Sequence, residues 1–140
     1  MPLDSRRESA VSRRRGLSPL GRSTMLTPLE KAVLDMMLDQ SGEPFETIRQ
    51  QLAYATVAKR EFTGVGFVTD FSVSADAPVR RDLAGREISG VGAEFSSLQH
   101  GAGFVLFIRD GVVSMLEGFT HDEPWPERTD DFRVSRHFDA

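Results

Sequence analysis

The chain has 140 residues, 39% of them apolar and 27% charged, with 17 Lys+Arg against 21 Asp+Glu. That length accommodates one domain, and no apolar run approaches the ~20 residues that a membrane helix needs. There is no cysteine, so disulfides, thiolate metal sites and cysteine nucleophiles are excluded, and a reducing, cytoplasmic setting is expected.

The formal charge of -4 conceals a division. Residues 1–24 carry six arginines (Arg6, Arg7, Arg13, Arg14, Arg15, Arg22) against Asp4 and Glu8, a net +4. Residues 25–140 carry 11 basic and 19 acidic groups, a net -8. In the first segment Val11, Leu17 and Leu20 follow no helical or strand period, so a disordered basic arm is expected. Such an arm could touch nucleic acid weakly, serve as a transit segment, or lie upstream of a true start at Met25. Residues 25–140 are expected to form a single domain.

Thr27-Pro28-Leu29-Glu30 is a capping box with proline at the first helical position. It predicts a helix over 28–40, with Leu29, Val33, Met36, Met37 and Gln40 on one face and Leu34 and Leu38 widening it. Ser41-Gly42 is read as its stop. Pro44 opens a second predicted helix, 44–53, with Phe45, Ile48 and Leu52 on its buried side. After Tyr54 the period changes from 3.6 to 2. A strand is predicted over 56–63, with Lys59-Arg60-Glu61 as an exposed charged stretch. A half-buried strand follows over 65–73. A polar loop, 74–86, leads to an alternating strand at Val91, Ala93 and Phe95. Phe104 to Ile108 is a continuous apolar run, the pattern of a central strand covered on both faces. Asp110-Gly111 between apolar runs predicts a tight hairpin, because both turn residues need positive φ. Its partner strand is 112–119. Residues 120–131 read as a loop, and Phe132, Val134 and Phe138 as an edge strand. The fold class is therefore α+β, with two N-terminal helices on one face of a five- or six-stranded, mainly antiparallel sheet.

No coherent catalytic set is legible. His100-Gly101-Ala102-Gly103 lacks the nucleophile elbow that an oxyanion loop would serve. The pairs Gly64/Gly66, Gly90/Gly92 and Gly101/Gly103 reach no third glycine at dinucleotide spacing and enter no helix. His100, His121 and His137 show no metal-ligand spacing, so neither metal nor cofactor is expected. Alternation places Asp70 and Glu94 on the polar sides of their strands. If Glu94, Glu117 and His100 shared a pocket between helices and sheet, they would support an acid/base or small-molecule site.

The richest segment is 117–131. Glu117, Asp122, Glu123, Glu127, Asp130 and Asp131 face only Arg128, a local net of -5, and surround Trp125, the sole tryptophan. Pro124 and Pro126 restrict the backbone on either side of it. An acidic rim around an aromatic anchor would steer a basic protein partner and then grip it. The competing reading folds Trp125 back over the sheet as a core cap.

Three segments carry a resemblance: Arg60-Glu61-Phe62-Thr63-Gly64-Val65-Gly66-Phe67, His100-Gly101-Ala102-Gly103-Phe104, and Leu116-Glu117-Gly118-Phe119-Thr120 with Pro124-Trp125-Pro126. They are similar to a group of small uncharacterised bacterial proteins sharing G-V-G-F, H-G-A-G-F and L-E-G-[FY]-T…P-W-P, over roughly residues 28–135. That group implies no activity. In size and charge the body also resembles immunity proteins of bacterial toxin systems, which implies a non-enzymatic inhibitor of a basic partner.

Overall fold

A computed structural model describes residues 25–83 and 85–136. The expected basic arm, 1–24, lies outside the described residues, as do His137 and Phe138. Two helices, α1 (Pro28–Met37) and α2 (Phe45–Leu52), precede six strands: β1 (Ala55–Phe62), β2 (Gly66–Val73), β3 (Arg86–Glu94), β4 (Ala102–Arg109), β5 (Val112–Thr120) and β6 (Arg133–Ser135). They form one sheet in the order β1-β2-β5-β4-β3-β6, antiparallel throughout. This is the α+β architecture that the pattern of periods predicts.

The capping box forms as spelled: the Glu30 N–H donates to Thr27 Oγ1 at 3.1 Å and the Thr27 N–H to Glu30 Oε1 at 2.8 Å. The helix stops at Met37, three residues before the predicted end. The chain just beyond it is held by a guanidinium rather than by a glycine cap. Arg49 of α2 donates to the carbonyls of Leu38 and Gln40, which satisfies them and joins the two helices.

The sheet's inner face packs on both helices. Val33, Leu34, Met37, Leu38 and Ile48 meet Val91, Phe104, Leu106, Ile108 and Leu116, all essentially inaccessible. β4 is central, yet the continuous apolar run does not mean cover on both faces. Val105 and Phe107 point away from the helices and stay half-buried, and among the described residues no helix lies over them.

Two polar residues missed by the hydropathy pattern, Arg60 and Gln51, tie the layers together. Arg60 stands in the stretch expected to be exposed, but its side chain is only 6% exposed and Glu30's only 2%. Arg60 Nε and Nη2 donate to the two Glu30 oxygens at 2.9 and 2.7 Å, and Thr69 of β2 donates to the same carboxylate. Register explains it: a bulge between Val57 and Lys59 turns Arg60, the partner of Thr69, onto the helix side. The second residue is Gln51 of α2, fully buried. Its amide donates to the carbonyls of Pro78 and Gly111 at 2.9 and 2.8 Å, and its oxygen accepts from the Val113 N–H at 2.9 Å.

Gln51 thereby grips the β4–β5 hairpin, whose turn has the predicted geometry, with φ 56° at Asp110 and 83° at Gly111. A Cβ on Gly111 would lie 2.6 Å from the Arg80 carbonyl carbon and oxygen. Gly111→Ala is expected to cost about 2–4 kcal/mol, since it combines a left-handed φ with a backbone clash. The check is a lower urea midpoint at unchanged m-value.

Candidate functional site

β5 ends at Thr120, and the chain then turns back across the end of the sheet. Thr120 donates through its N–H and hydroxyl to the Val65 carbonyl at 2.9 and 3.1 Å, and the Trp125 N–H donates to the Gly64 carbonyl at 2.8 Å. The loop is therefore laced to the tip of the β1–β2 hairpin. Pro126 is buried, which helps fix the backbone that carries Trp125.

The indole is half-buried. It meets the rings of Phe67, Phe95 and Phe104 edge-on, with centroid separations of 5.2, 5.8 and 6.3 Å. A Cβ at Gly118 would come within 2.4 Å of Phe67 and 2.9 Å of Phe104, so glycine there gives the rings their room. Trp125 is thus both a cap on the core and a wall of a surface cleft. This open cleft, about 610 Å³, is lined by Trp125 together with Ser96, Glu127, Arg128, Asp130 and Asp131. Three of the acids singled out in the sequence meet the tryptophan there.

The acids of this segment are held in different ways. Glu123 braces the turn before β4: its carboxylate accepts from the N–H groups of Gln99 and His100 at 2.9 and 3.0 Å. Those two N–H groups hold its carboxyl below the usual carboxylate range. Asp131 accepts from the hydroxyl and N–H of Ser96, which lower its pKa in the same way. Asp130 is lowered by Arg128, whose guanidinium donates to it at 2.9 Å. Glu127 is exposed, with no ion pair among the described residues. Asp122 is exposed at φ 68°.

Glu117 does not join the cleft. It pairs in register with Val68 and Val105 on the face away from the helices. Glu94 is exposed at the β3–β6 edge, 4.0 Å from Arg133, and His100 is exposed on the turn that Glu123 braces. Glu94, Glu117 and His100 therefore line no common pocket between helices and sheet, where core side chains fill the space. Among the described residues no cluster of three His, Asp or Glu is placed to hold a metal, and no helix is long and apolar enough to cross a membrane.

Hydropathy reading missed Phe62 and Val65, 67% and 50% exposed on the hairpin tip beside the Trp125 loop. The signal was available in the quoted segments: residues 60–67, 100–104, 116–120 and 124–126 converge at this one end of the molecule through the bonds and ring contacts above.

A pH dependence follows from Glu123. Its pKa is depressed on folding, so its stabilising contribution is present above the unfolded value, about 4.3, and lost as pH falls through the folded value. Glu123→Gln is therefore expected to lower the melting temperature more at pH 7 than at about pH 3. An equal loss at both pH values would assign the effect to packing. No family model matches the chain, and neither a curated protein nor a solved structure does.

Proposed function

We propose that this chain is a non-enzymatic interaction protein, of the immunity type, that captures a basic protein partner at the Trp125 cleft. The observation that carries the reading is the meeting of Trp125 with Glu127, Asp130 and Asp131 around one open cavity. A cationic side chain entering it would lie against an aromatic face and within an acidic rim, two attractions that reinforce each other. Phe62 and Val65 would add apolar contact at the border. Depressed carboxyl pKa values keep Asp130 and Asp131 ionised down to acidic pH.

The sole tryptophan makes the test direct. Adding a synthetic Arg/Lys-rich peptide is expected to shift Trp125 emission, and a Glu-rich peptide of equal length to leave it unchanged. Glu127→Lys with Asp130→Lys should weaken binding by about tenfold or more and flatten its salt dependence while leaving the fold intact. Arg128→Gln acts in the opposite sense. It removes the intramolecular cation that holds Asp130, so the basic peptide should bind several-fold more tightly. Unchanged affinity in both variants would overturn the proposal.

A further inference from the structure

The face of the sheet away from the helices carries a second, separate pattern. Across adjacent strands β2, β5 and β4, Gly66, Phe119 and Gly103 stand in one row, Val68, Glu117 and Val105 in the next, and Asp70, Met115 and Phe107 in the third. Directly opposed residues of antiparallel strands share a face. Glu117 is therefore fenced by Val68 and Val105 across the strands and by Met115 and Phe119 along its own. These four and Phe107 are half-buried and belong to none of the helix-side core.

Two carboxylates in this field are unpaired. Among the described residues neither the Glu117 nor the Asp70 carboxylate has a hydrogen bond or ion pair. Lys59, the register neighbour of Asp70, is drawn to Glu61 at 3.6 Å instead. An element that covered this face with apolar surface alone would strand both charges away from water, at a large desolvation cost. A second copy related by a two-fold axis would set Glu117 and Asp70 of one protomer near the same pair of the other, which like-charge repulsion opposes. The occupant must bring apolar groups and cations together. Three strands at a spacing of about 4.8 Å present a strip about 10 Å wide, the width of one α-helix.

We propose that this face docks a basic amphipathic helix of a protein partner, with Lys or Arg against Glu117 and Asp70 and apolar side chains against Phe107, Met115 and Phe119. The site is independent of the Trp125 cleft, because the rings that hold the indole lie on the helix side of the sheet.

The experiment uses the full chain and a fluorescently labelled, Leu/Lys amphipathic helical peptide of about 18 residues, with a Leu/Glu counterpart as control. The Leu/Lys peptide should bind in the anisotropy assay and the Leu/Glu peptide should not. Glu117→Gln should weaken binding by about fivefold or more, at an unchanged melting temperature, and Phe119→Ser should weaken it further. Glu46→Gln, at an exposed position of α2, should leave it unchanged. The proposal fails if Glu117→Gln has no effect or if Glu46→Gln weakens binding equally. It also fails if the wild-type chain sediments as a dimer that Glu117→Gln tightens, which would make a second copy the occupant. A rise in peptide affinity on Arg13→Glu, Arg14→Glu and Arg15→Glu together would assign the face to the chain's own N-terminal residues, again against the proposal.

Discussion

Arg60→Ala is expected to destabilise the domain by about 3–5 kcal/mol, because it leaves the buried Glu30 carboxylate without its counter-charge. That is a large share of the 5–15 kcal/mol that holds a domain of this size folded. Glu30 takes hydrogen bonds from Thr27, Arg60 and Thr69, so it joins the start of α1 to β1 and β2. Arg60 also donates to the Met25 carbonyl at 3.1 Å, and its loss frees that segment as well. The melting temperature should fall by roughly 10–20 °C. Combining Arg60→Ala with Glu30→Gln should recover a good part of the loss, since the neutral amide keeps the cap and removes the stranded charge. A single-variant cost below about 1 kcal/mol, the value of an exposed pair, would show that the bridge is solvated in solution.

Gln51→Leu is expected to cost about 3 kcal/mol, although it adds hydrophobicity at a fully buried site. Nearly isosteric leucine fills the space but bonds nothing. The Val113 N–H loses its side-chain acceptor, and the carbonyls of Pro78 and Gly111 each lose a donor. Buried polar groups left unpaired cost about 1–3 kcal/mol apiece. Gly111 keeps the Arg80 N–H, 3.0 Å from its carbonyl, so the total stays below the sum of three full penalties. Hydrogen exchange should show the β4–β5 hairpin opening first, ahead of α1. Uniform loss of protection would argue against a local clasp.

These two residues also mark where sequence reading stopped. The helices, the Asp110-Gly111 turn and the alternating strands were legible because each rests on a local period or a local backbone demand. Arg60 was read as exposed because hydropathy treats charge as a surface property. Its burial depends on a bulge two residues earlier and on Glu30, thirty positions away. Gln51 has the same character: its partners stand at Pro78, Gly111 and Val113, and no local pattern announces them. Val105 and Phe107 misled in the other direction, because a run of apolar residues reports that both sides of a strand are greasy, not that both are covered.

At the candidate site the composition was legible and the division of labour was not. Six acids near one tryptophan read as one rim, whereas three line the cleft with Trp125, Glu123 braces a neighbouring turn, and Glu117 faces another surface. The distinction rests on which backbone N–H groups lie within reach of each carboxylate, and that is tertiary information. It also changes how the site must be probed. Trp125→Ala would remove an indole packed on three phenylalanines, so lost binding in that variant would be confounded with loosened structure.

The dual position of Trp125, half in the core and half in the cleft, bears on how such a chain can diversify. The indole is committed: its ring contacts and the Gly118 that makes room for them restrain substitution. Glu127, Arg128 and Asp130 are exposed, and their side chains bond no other residue's backbone. Lineages can therefore exchange charges at these three positions at little cost to folding, and under the proposed function such exchanges would change which partner is recognised while the anchor stays constant. Sequence variation concentrated at 127, 128 and 130 beside an unvarying 118 and 125 is the imprint that such drift would leave.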